Sequence, residues 1–102
     1  MIVMTITTYP MQSIPKTVEV FLDLIKAGLP DYIEMTGPFT RWGGEGIIGY
    51  TIYDIEDDKA MEGMKVLVAR DAKFSVVEGF KMESFVLLTA ADSLAAIGEK
   101  MP

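Results

Sequence analysis

The segment Arg41-Trp42-Gly43-Gly44-Glu45-Gly46 has the most unusual chemistry in the 102-residue chain. As a binding element, Arg41 would take a carboxylate, Trp42 would stack on a ring, and the glycines would let backbone amides approach a ligand. As structure alone, it is a hairpin turn whose glycines supply positive φ, with Trp42 packed beneath it or against a partner. The spacing is not that of a phosphate loop: GxGxxG fails, and the Lys-Ser/Thr pair of a Walker loop is missing. A second group comprises Thr5, Thr7, Tyr53 and Glu83, placed by strand alternation on neighbouring strands and one shared face. That face reads either as a lightly polar pocket with apolar walls or as a wet patch in a dimer interface. Whether Arg41 joins it depends on a bulge at Gly37-Pro38, which would reverse the parity of everything after it.

Other chemistry is excluded by composition. The chain has no His and no Cys, so imidazole catalysis, His or thiolate metal sites, cysteine nucleophiles and disulfides are all impossible. No metal and no cofactor are expected. Asp54, Glu56, Asp57 and Asp58 form an acidic cluster without the twelve-residue ligand pattern of a calcium loop, and a helix N-terminus attracts carboxylates unaided. Nine basic against fifteen acidic side chains give a net charge of -6, which opposes nucleic acid and anionic membranes as partners. Gly49-Tyr50-Thr51-Ile52-Tyr53 echoes the aromatic third strand of RNA-recognition domains, but the first strand offers no aromatic partner and the flanks are not basic. No signal peptide or membrane span is read at the start, where Thr5, Thr7 and Thr8 interrupt the apolar run, and a cytoplasmic location is the default expectation.

The elements that must position these residues follow from periodicity. Ile2 to Tyr9 alternates as a strand and stops at Pro10. From Ile14 to Ala27 the period becomes helical: Ile14, Val18, Phe21, Leu22 and Ile25 form one stripe, Pro15 sits in the first turn, and Gly28 with Pro30 ends the run. Asp31 to Trp42 is a strand that Pro38 confines to an edge or a bulge, because proline cannot donate to a ladder. Ile47 to Ile55 is a strand apolar on both faces. Asp57 or Asp58 would cap a second helix ending near Arg70. Lys73 to Glu78 reads as a further helical turn or a short strand, with Val76-Val77 leaning toward the strand without deciding it, and Phe80 to Leu88 as the last strand. Thr89 and Asp92 have capping-box spacing for a short final helix closed by Gly98.

This order of elements makes residues 1–102 one α+β domain on the ferredoxin-like plan, βαββαβ plus a C-terminal helix. Its antiparallel sheet has the order 4-1-3-2, with two helices on one face. The second strand is then at an edge, as Pro38 requires. The other face would still carry Ile, Tyr, Phe and Leu, too apolar to leave in water, so a homodimer through it is expected.

Two segments carry a resemblance: Trp42-Gly43-Gly44-Glu45-Gly46 running into the apolar third strand, and Glu78-Gly79-Phe80-Lys81-Met82-Glu83 leading into the fourth. Through them the chain resembles the dimeric α/β-barrel superfamily, in which two ferredoxin-like sheets pack face to face across a two-fold axis. It looks most like the uncharacterised members of roughly 100 residues. The resemblance implies relatives such as cofactor-free monooxygenases, muconolactone-isomerase-like enzymes and heme-degrading enzymes. Without histidine, no His-dependent role carries over. The expectation is a cytoplasmic homodimer that binds a small, largely apolar, possibly carboxylated molecule through Thr5, Thr7, Arg41, Trp42, Tyr53 and Glu83. The alternative is an enzyme whose substrate supplies its own reactivity, with Glu83 as acid-base carboxylate and Arg41 stabilising an enolate. A scaffold dimer without ligand is the remaining reading.

Overall fold

The computed structural model describes residues 1–102. Strand β1 (Ile2–Tyr9) is followed by helix α1 (Ile14–Ala27), strands β2 (Ile33–Gly43) and β3 (Gly46–Ile55), helix α2 (Ala60–Asp71), strand β4 (Lys81–Leu87) and helix α3 (Ala90–Ala96). The sheet is antiparallel with order β2-β3-β1-β4, the expected ferredoxin-like arrangement. Edge position is what lets β2 hold Pro38. Between Thr36 and Phe39 its register slips, and Gly37 takes a φ of 96° there. Any side chain at Gly37 would be strained by that φ, and its Cβ would lie 2.7 Å from the Tyr50 carbonyl oxygen.

The ambiguous 73–78 segment begins within a 3-10 helix, Ala72–Val76, that extends α2, and it adds no strand; the leaning of Val76-Val77 toward one is not met. No side chain caps α2. Asp57 is committed elsewhere: its carboxylate holds the amino terminus at 2.8 Å while that ammonium also donates to the Ile55 carbonyl. The contact raises the pKa of the ammonium and lowers that of Asp57. Thr89 and Asp92 do form a capping box on α3.

The helices cover one sheet face unevenly. The core is Val3, Ile33, Tyr53, Ile55 and Leu67, at the end of the sheet beneath α2. Gly63 of α2 makes this approach possible, since a Cβ there would sit 2.5 Å from Ile55 Cγ2 and 3.0 Å from its Cδ1. Only 15 of 102 residues are buried, so much apolar surface remains outside this core. The uncovered face presents Ile2, Met4 and Ile6 of β1, Ile48, Tyr50 and Ile52 of β3, Phe85 and Leu87 of β4, and Phe39 of β2.

Candidate functional site

Along the covered face of β1 the side chains run Val3, Thr5, Thr7, Tyr9. Those of β3 opposite run Tyr53, Thr51, Gly49, Ile47. The middle of both rows is small and hydroxylated, so the apolar packing that fills the space around Val3 gives way there to a cleft. Gly49 contributes directly, because a Cβ at that position would stand 2.6 Å from Thr7 Oγ1. The cleft encloses about 210 Å³ between the sheet, α1 and the end of α2. Thr5, Thr7, Thr51, Thr40 and Gly49 border it from the sheet; Thr17, Val18, Phe21 and Leu24 border it from α1. Two of the hydroxyls are already engaged: Thr5 Oγ1 shares a hydrogen bond with Ser84 at 2.9 Å, and Thr17 donates to the Ser13 carbonyl at 2.8 Å.

An aromatic stack closes one end. The Tyr9 and Phe80 rings lie 5.8 Å apart at 11°, and Phe80 and Phe74 lie 4.6 Å apart at 5°. Tyr53 borders the cleft from the other end, next to the core, and α2 brings its last two residues, Arg70 and Asp71, to the rim. Burial raises the Tyr53 pKa, and the nearby Asp71 charge adds to this while Arg70 opposes it. Burial alone raises that of Tyr9.

Asp71 is the residue that sequence reasoning missed. Desolvation raises its carboxyl pKa from 3.8 to about 6, with Arg70 pulling the other way. A group whose folded pKa is raised binds protons more tightly in the native state. Stability is therefore lost as pH rises from about 4 to about 6, and the full penalty remains above that window. Asp71→Asn is expected to raise the unfolding temperature at pH 7 by a few degrees and to give no gain at pH 3.5, measured by calorimetry. A lower unfolding temperature at pH 7 would contradict this assignment.

Of the residues expected to share a site, Thr5, Thr7 and Tyr53 come together at the cleft. Glu83 does not join them: it pairs with Ile6, whereas Thr5 and Thr7 face Ser84 and Met82. Directly paired residues share a face, so Glu83 lies on the uncovered side, exposed, on edge strand β4. Arg41 pairs with Ile48, also on the uncovered side, and on the opposite edge strand. Three strand spacings of about 4.8 Å put the two strands roughly 14 Å apart. Trp42 pairs with Ile47 on the other face and is 63% exposed. Arg41, Trp42 and the glycine turn border a separate, open hollow of about 280 Å³ with Thr8 and Ile48.

Architecture and cleft together define a small α+β domain of ferredoxin-like topology with a hydroxyl-bordered, largely apolar site between sheet and helices. Compared with models of known families, with curated proteins and with solved structures, the chain matches none. No helix is long and apolar enough to cross a membrane.

Proposed function

We propose that the protein is a homodimer that binds a small, largely apolar molecule in the cleft. The observation that carries the binding reading is the composition of the cleft wall. A pocket of about 210 Å³ lies below the roughly 300–1,000 Å³ of drug-sized sites and suits one or two rings. Its apolar walls supply affinity, while Thr7, Thr51, Tyr53 and Asp71 supply orientation. The expectation of a carboxylated ligand relied on Arg41, which stands on the other side of the sheet from the cleft. Glu83 and Arg41 share the uncovered face but stand on opposite edge strands, which keeps them from acting together on one substrate within a protomer.

The partner proposed for the uncovered face is a second copy, in the manner of the dimeric α/β-barrel superfamily. Its centre is apolar, and its periphery carries both signs, with Arg41 and Lys81 alongside Glu34 and Glu83. A surface holding both signs around an apolar centre can complement itself across a two-fold axis.

Native mass spectrometry of the purified protein tests for a retained small molecule, and titration with naphthalene tests the cleft directly. Gly49→Leu is expected to weaken naphthalene binding at least tenfold, because the added side chain projects beside Thr7 into the space a ring would occupy, and the circular dichroism spectrum read alongside shows whether Thr7 Oγ1, 2.6 Å from the new Cβ, moves aside without loss of the fold. Unchanged binding in that variant would place the ligand elsewhere.

A further inference from the structure

The cleft holds hydrogen-bonding groups that the chain itself leaves unused. The Asp71 carboxylate borders it half-buried and takes part in neither of the two ion pairs of the molecule. Its neighbour Arg70 is committed: Nη1 donates to the Leu24 carbonyl at 3.2 Å and to the Gly28 carbonyl at 2.8 Å, closing the C-terminal end of α1. The cation beside the cleft is thus held by backbone oxygens. The other titratable groups at the cleft are Tyr53 from β3 and Tyr9 from β1; α1 supplies none, and the 3-10 turn after α2 supplies only Phe74. An anionic ligand would meet a carboxylate, while the cation at the cleft, Arg70, already gives Nη1 to two backbone carbonyls. A hydroxyl donor would meet a good acceptor. The near-parallel rings of Tyr9, Phe80 and Phe74 add a flat apolar wall suited to a planar partner.

We propose that the cleft takes a small, neutral, planar molecule bearing an acidic hydroxyl, a phenol or an enol, which donates its proton to a hydrogen bond with the Asp71 carboxylate while its ring lies against the aromatic stack. This rests on the cleft being the ligand site, and it adds the class of ligand and the group that selects it.

Three probes separate the two claims: 2-naphthol, naphthalene without the hydroxyl, and 2-naphthoate with a carboxylate, each titrated by calorimetry from pH 5 to 7.5. At pH 7.5, 2-naphthol is expected to bind tightest. Its affinity falls about tenfold by pH 5, because a carboxyl with a pKa of about 6 is only roughly one-tenth ionised there. Naphthalene binding stays level with pH. Asp71→Asn flattens the 2-naphthol profile; should that variant fail to fold, the contrast between 2-naphthol and naphthalene on the unaltered protein decides. If naphthalene binds but 2-naphthol is no tighter or shows no pH dependence, the role given to Asp71 is wrong and the cleft remains the site. Tighter binding of 2-naphthoate overturns the ligand class. Binding of none of the three overturns the cleft reading with it.

Discussion

Phe85→Asp is expected to turn a dimer into a monomer of 11.3 kDa or into aggregate, whereas the unaltered chain sediments at about twice that mass at micromolar concentration. Phe85 pairs with Met4 near the centre of the uncovered face and is 42% exposed. Around it lie Ile2, Ile6, Ile52 and Leu87, and fully burying such a side chain is worth about 1.5–3 kcal/mol. Several of them together reach the roughly 4–15 kcal/mol that association costs in lost freedom. An aspartate in their midst would be desolvated without a cation, a loss of several kcal/mol in each of two copies. Sedimentation velocity reads the outcome. An unaltered protein that stays at 11.3 kDa up to high micromolar concentration would remove the dimer from the proposal and leave the cleft untouched.

The second large effect is expected at Gly63. Alanine there would raise helix propensity by about 1 kcal/mol on its own. The added Cβ would nevertheless lie 2.5 Å from Ile55 Cγ2, and Ile55 is wholly buried against Val3 and Leu67. Because Ile55 cannot withdraw, Gly63→Ala is expected to be net destabilising, and Gly63→Val to lose about 1–3 kcal/mol or more through overpacking. For a domain of this size each kcal/mol lowers the unfolding temperature by about 4–8 °C. Urea denaturation gives the free energies directly. A Gly63→Ala variant more stable than the parent would mean that α2 lies further from the sheet than described.

Much of the architecture could be read from local signals. The α1 boundaries follow from Pro15 and Gly28, and the β1 boundary from Pro10. Pro38 placed β2 at an edge before any pairing was known, because a missing donor is a local fact with a topological consequence. The candidate site was legible only in part. Thr5, Thr7 and Tyr53 were recoverable because β1 and β3 each have one visibly more polar row. Glu83 was misplaced because β4 is apolar on both rows: Phe85 and Leu87 alternate with Met82 and Val86, so the pattern cannot say which row faces the helices. Only the pairing of Ser84 with Thr5 decides that. Asp71 left no sequence signal. It ends an amphipathic stripe like any helix-terminal acid, and it gains meaning only from the cleft that distant strands build beside it.

The slip in β2 at Gly37 also sets how this sheet tolerates insertions and deletions. Two residues of β2, Gly37 and Pro38, stand opposite Thr51 alone, and the pairs on either side of them, Thr36 with Ile52 and Phe39 with Tyr50, lie on one face. Loss of one of Gly37 and Pro38 would leave regular alternation, with Arg41 still opposite Ile48 on the uncovered face and Thr40 still opposite Gly49 at the cleft margin. The cleft margin would keep its hydroxyl and its electrostatics through such a change, so the slip confines one residue of length variation to the edge strand and hides it from a ligand.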